Sequence, residues 1–250
     1  MNTQSDYSIS KPVNRHPVAT KDSKDFEDFI YLLSHDVRGS IRALLEVPQW
    51  ITEDLISDGH KITGHLADHI TLMNTHTQRL DRMLIDLLVY SRVGRSQNTS
   101  VVSLQDTLDT VFEQVKLPKG FNVEVDLQCS TLMFGERDIL TLLTSLISNS
   151  IKHHHLDHGR IQISSRREDD MCIILVSDDG PGIPEKFSQR VFEAMTTLRP
   201  RDEVEGSGMG LAIVRKIVDH HDGQLECMSY QNATGTIMEM RFQQEIPKHI

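Results

Sequence analysis

Apolar residues recur along the first third of the chain at the spacing of one helical face. Phe26, Ile30, Leu33, Val37, Ile41, Leu44 and Ile51 follow one another at three- and four-residue steps, with one longer step around Pro48. That period predicts an amphipathic helix from about Lys21. Asp58-Gly59 is a turn signal, and a second stripe (Ile62, Leu66, Ile70, Met73, Leu80, Leu84 and Leu87) predicts a second helix. Two long helices with a short connection make a hairpin, whose apolar face has only a single layer to cover it. Two hairpins packed together bury both stripes, so the pattern predicts a homodimer through a four-helix bundle.

The period breaks at Gly94-Arg95-Ser96-Gln97-Asn98-Thr99, a polar stretch that reads as a domain boundary. Beyond it, helices are expected at about 103–116, 136–152 and 208–221. Strands are expected at Asn122 to Leu127, Arg160 to Arg166, Met171 to Ser177, Gln224 to Ser229 and Gly235 to Phe242. Intermixed in this way they imply an α/β sandwich, a mixed sheet with helices on one face. Residues 1–20 are polar, hold two prolines and show no period, and read as a flexible leader. The organisation expected is a leader (1–20), a helical hairpin (21–94), a linker (95–102) and a sandwich (103–245).

Composition narrows the classes. A formal net charge of -10 argues against a general nucleic-acid binder, which needs clustered Lys and Arg. Cys129, Cys172 and Cys227 are widely spaced and form no CxxC pair, as expected of reduced thiols. No stretch approaches the ~18 apolar residues of a membrane span, and the N-terminus lacks a signal-peptide core. The chain is therefore expected to be cytoplasmic.

Three local motifs of the second half carry chemistry. In Leu142–Lys152, Asn149 lies opposite much of the apolar run, where its carbonyl can ligate a hard cation. Lys152, three residues on, shares that face and can meet a phosphate. Next, Ser177-Asp178-Asp179-Gly180-Pro181-Gly182-Ile183 follows an apolar strand. Its glycines let the backbone approach a flat ligand, and its carboxylate can accept a hydrogen bond from an exocyclic amine. Last, Gly206-Ser207-Gly208-Met209-Gly210-Leu211 runs into a helix, whose N-terminus presents free N–H groups to phosphates.

The order and spacing of these motifs resemble the ATP-binding domain shared by histidine kinases, gyrase, Hsp90 and MutL, over roughly residues 103–243. The resemblance implies bound ATP and Mg²⁺. By it, Asn149 holds the metal, Asp178 binds adenine and Gly180 and Gly182 shape the pocket. Gly206, Gly208 and Gly210, with Leu211 beside them, cradle the phosphates, and Lys152 completes the binding set. Val191–Thr197 resembles the family's phenylalanine box, with Met195 where a second aromatic is usual. Residues 185–205, carrying Arg199 and Arg201, correspond to a mobile lid.

The hairpin decides which branch of that superfamily is meant. Leu33-Ser34-His35-Asp36-Val37-Arg38 places His35 opposite Leu33 and Val37, toward solvent, with Asp36 able to orient the ring or act as its base. The segment resembles the phospho-acceptor box of histidine kinases. The resemblance implies a protein histidine kinase that phosphorylates His35 and passes the phosphoryl group to an aspartate of a response regulator receiver domain. An upstream or separate sensor module would supply the input. The alternative is a degenerate kinase acting as a phosphotransfer or scaffold protein, and the departures Ser145, Gly39 and Met195 allow it. Gly39 stands where many relatives have Thr or Asn, which implies weak phosphatase activity. The histidines at 153–155 and 158, and His65 with His69, read as polar loop and helix face rather than metal ligands.

Overall fold

The computed structural model describes residues 21–95, 97–199, 204, 206–229 and 235–244, and for residues 21–27, 29 and 33–35 the backbone only. The leader, Arg201 and the side chain of His35 lie outside the described residues.

The apolar stripes become two helices, α1 (Lys21–Ser57) and α2 (His65–Arg92). Pro48 sits inside α1, buried, and Thr52 Oγ1 donates to the Pro48 carbonyl at 2.8 Å. Ile62, counted in the second stripe, lies in the connecting loop instead, because α2 starts only after Gly64 with its φ of 59°. Within one chain the stripes are only partly covered. Ile41 is buried, yet Leu44, Trp50, Ile56, Leu72 and Leu80 are each about half exposed or more.

A short antiparallel pair follows, β1 (Thr99–Ser103) with β3 (Thr131–Gly135). The sequence pattern gave neither strand. The segment read as a linker thus enters a strand from Thr99 onward, a segment too short and polar for the alternation to register. The five-stranded sheet has the order β2-β4-β5-β7-β6, formed by β2 (Gly120–Leu127), β4 (His158–Glu168), β5 (Met171–Asp178), β6 (Gln224–Ser229) and β7 (Thr236–Gln243). β2 runs parallel to β4, and the other neighbours are antiparallel. The sheet is mixed, as expected.

Three helices cover one sheet face: α3 (Leu104–Gln114), α4 (Glu136–Lys152) and α5 (Gly210–His220). Ser103 caps α3, its Oγ accepting from the Asp106 N–H. The strand period of two sends Ile161, Ile163, Ile174, Val176, Met238, Met240 and Phe242 into one core with Leu142, Leu143, Ile147, Val214 and Ile217 from the helices. The other face carries charge: Glu239 accepts from Arg241 at 2.7 Å and pairs with Arg166 at 3.6 Å.

The end of α2 is seated on the sandwich. Val93 belongs to the core, and Leu87, Val89 and Tyr90 pack against it. Lys216 of α5 donates to the Tyr90 carbonyl at 2.9 Å and lies 4.3 Å from the Tyr90 ring centroid. No helix among the described residues is long and apolar enough to cross a membrane. Leu143 is fully buried at the helix–sheet interface. Leu143→Ala is expected to cost about 2–5 kcal/mol, read as a lower urea midpoint with an unchanged slope.

Candidate functional site

The three motifs surround one cavity of about 620 Å³. Its wall on α4 is formed by Thr144, Ser145, Ser148, Asn149 and Lys152. These positions share a helix face because the apolar residues between them are committed to the core. Asp178, Gly182 and Ile183 form the strand-end side, and Gly206, Gly208, Gly210 and Leu211 the glycine-rich side. Thr196, Thr197, Leu198 and Arg199 close over it. Gly180 does not line the cavity. Its role is internal to the turn, where its N–H donates to Asp178 Oδ1 at 3.0 Å.

Asp178 is the most constrained of these groups. Ser150 Oγ donates to its second oxygen at 2.9 Å. Burial pushes the carboxyl above the usual carboxylate range, against the hydrogen bonds from Ser150, Gly180 and Thr236. The turn after it depends on glycine at one point: Gly182 has a φ of 77°, and a Cβ there would come 3.0 Å from the Gly235 carbonyl oxygen.

The next acidic residue, Asp179, points away from the cavity. Its Oδ1 accepts from the Arg160 N–H at 2.7 Å and lies 3.1 Å from His154 Nε2. Burial raises its carboxyl, but these partners hold it below the ordinary value. The His154 side chain is 1% exposed, so this member of the histidine run buttresses the turn from behind rather than lying on a polar surface.

The glycine-rich segment meets the lid side backbone to backbone. Gly208 has a φ of 77°, and a Cβ there would fall 2.8 Å from the Thr196 carbonyl oxygen. A Cβ on Gly206 would come 2.9 Å from Lys152 Nζ, so the lysine ammonium lies directly against this loop. Arg199 and Lys152 make the same end cationic. His153, also at the cavity, is pushed down to about 4 by burial first, then by Lys152 and Arg199. The start of α5 at Gly210 adds its dipole, and that end of the cavity is built for an anion.

Sequence reasoning missed the contribution of α2. Arg82 and Asp86 line the cavity, and Ser207 Oγ donates to Asp86. Burial raises the Asp86 carboxyl, opposed by Ser207, Lys152 and Arg82. No local motif announces either residue, since only the docking of α2 brings them here. Ser150 and Thr236 were missed too; Ser150 follows Asn149 directly, and its direction is fixed by the turn of α4. Asp36 is exposed on α1 and does not line the cavity.

The site has the makings of a nucleotide pocket: an acceptor for an amine, apolar walls and a cationic, glycine-lined end. Thr144 Oγ1 is buried without a hydrogen-bond partner among the described residues.

Comparison with known proteins agrees. Residues 135–246 match the family of histidine kinase-, DNA gyrase B-, and HSP90-like ATPases. Over 213 residues, 82% of the chain, it is 29% identical to cyanobacterial phytochrome A of Nostoc sp., covering 27% of that protein. It resembles full-length ShkA solved with AMPPNP (TM-score 0.64, 20% identity, 88% of this chain and 46% of that one). It also resembles histidine kinase ThkA in complex with the response regulator TrrA (TM-score 0.60, 20% identity, 90% of this chain and 65% of that one). These two likenesses are of fold. The chain is similar to histidine kinases over most of its length, and its residues 135–246 carry the match to that ATPase family. It spans about a quarter of the length of cyanobacterial phytochrome A and 39% of that of the sensor protein ChvG of Agrobacterium fabrum.

The raised carboxyl of Asp178 has a consequence for stability. A folded-state value above the unfolded one means that folding favours the protonated form, so its stabilisation is present at low pH and lost as pH rises through the folded value. Asn can keep the Gly180 contact and donate to Ser150. Asp178→Asn should therefore raise the nucleotide-free unfolding midpoint at neutral pH. The gain should shrink toward the ordinary carboxylate value of 3.8, as followed by thermal melts across pH.

Proposed function

We propose that the chain is an ATP-dependent protein histidine kinase that phosphorylates His35 and delivers the phosphoryl group to an aspartate of a response regulator. The observation that carries this is that one cavity joins Asp178, Asn149 and the glycine-rich loop, on a chain whose α1 contains the His35-Asp36 pair.

Asp178 accepts the exocyclic amine of adenine, and Gly182 and Ile183 admit the flat base. Gly206, Gly208 and Gly210, with Lys152 and Arg199, bind the phosphates; Leu211 packs at their edge. Asn149 would hold Mg²⁺, which would supply charge neutralisation at the phosphates, and Ser145, one helical turn before it, would hydrogen-bond water there. Ser207 and Lys152 now face Asp86, so phosphate oxygens compete with that carboxylate for the same donors.

A ring nitrogen of His35 forms a bond to the γ-phosphorus of ATP as the bond to the β–γ bridging oxygen breaks and ADP leaves. Asp36, adjacent on the helix, orients the ring and takes its proton. The phosphoryl group then passes to the receiver aspartate, whose carboxylate oxygen displaces the imidazole. The ThkA–TrrA complex shows a protein of this fold with such a partner.

The half-exposed apolar residues of α1 and α2 support a homodimer, because a second hairpin would cover them. The sensor module lies upstream or in another protein, and the reaction is cytoplasmic. Gly39 removes the polar side chain linked to phosphatase activity, so the kinase direction dominates.

The decisive assay is incubation with γ-labelled ATP. Wild type should acquire acid-labile, alkali-stable label, lost in both His35→Gln and Asn149→Ala. Free phosphate without labelled protein would make the chain an ATPase. No turnover at all would favour a phosphotransfer or scaffold protein.

A further inference from the structure

On the far side of α4 from its Asn149 end, a carboxylate and two imidazoles converge. Asp138 lies in the first turn of α4, His220 ends α5 and His221 caps it. His221 Nε2 is 3.1 Å from Asp138 Oδ2, and one ligand atom from each of the three residues lies within 4.8 Å of the others. Two distant segments supply them, so the cluster exists only in the folded chain.

The donors are held in place. The Asp138 side chain is 3% exposed, and that of His221 is 13% exposed. Phe134 stacks on His221, with ring centroids 3.6 Å apart and planes 18° from parallel. His220 packs so tightly on Gly94 that a Cβ there would fall 2.4 Å from its Cε1. The other side of His220 is open to solvent, which gives an ion a path inward.

Two imidazoles and one carboxylate form the donor set of a borderline divalent ion, whereas Mg²⁺ and Ca²⁺ favour oxygen ligands. Zinc bonds to such atoms at about 2.0–2.2 Å, which sets neighbouring ligands about 3–3.5 Å apart. Asp138 and His221, hydrogen-bonded at 3.1 Å, already stand at that spacing, and the His220 ligand atom lies within 4.8 Å of both. We propose that Asp138, His220 and His221 bind a divalent transition-metal ion of the zinc type, with water completing its shell. Because His220 rests on Gly94, just beyond α2, the ion would act at the joint between the hairpin and the sandwich.

The test is titration of the whole chain with zinc chloride by calorimetry, alongside His220→Ala and His221→Gln. Cobalt(II) titration, read by its visible absorption, serves as a second probe. The chain has 13 histidines, so the comparison between variants decides. His220→Ala removes an exposed side chain, and an unchanged unfolding midpoint certifies its fold. Wild type should show a binding event that His220→Ala loses or weakens about tenfold or more, with a parallel loss of the cobalt band. His221→Gln should do the same. Equal stoichiometry and affinity in wild type and His220→Ala, with zinc at His153–His155 instead, would overturn the site, as would no zinc binding at all.

Discussion

The pocket depends on a carboxylate held at the end of a central strand. Asp178 closes β5, between β4 and β7, so its backbone is fixed by ladders on both sides. Its side chain is then fixed by Ser150 from α4 and by the N–H of Gly180. A partly buried carboxylate is costly, and burial does push its proton affinity up. The fold tolerates that cost because hydrogen bonds from Ser150, Gly180 and Thr236 aim the oxygens. Behind the turn, Asp179, His154 and the Arg160 N–H form a second polar cluster that fixes where the chain reverses.

The opposite end of the cavity works by charge rather than direction. Lys152, Arg199 and the N-terminus of α5 converge on glycine-lined backbone, and burial together with this positive field pushes His153 down to about 4. Asp86, delivered by α2, currently answers part of that field through Ser207. The hairpin and the sandwich therefore share a contact at the place where phosphates are proposed to bind. The packing of Tyr90 and Val93 at the top of α2 keeps that contact in reach.

Much of this was legible in the sequence. The helix and strand periods located α4 from Glu136 to Lys152, and located the five strands of the main sheet to within two residues at their ends. Glycines and an Asp after an apolar strand marked the cavity, because backbone turns require particular residues. Three kinds of feature were not legible. β1 and β3 are short, and pair across a separation in sequence that no local window can see. Arg82 and Asp86 reach the cavity only through docking of a helix whose own pattern concerns a different interface. His154 lies in a run of polar residues whose composition suggests a surface, yet Phe121, edge-on at 5.2 Å, and Asp179 enclose it. Tertiary context decided all three.

The proposed nucleotide site stands on Asp178 as its adenine acceptor. Calorimetric titration of the whole chain with ADP and GDP, in wild type and Asp178→Asn, tests it most directly. Wild type should bind ADP in preference to GDP, and the Asn variant, though folded, should lose most of its ADP affinity. ADP binding of equal strength in the two proteins, or no preference for adenine over guanine in wild type, would contradict it.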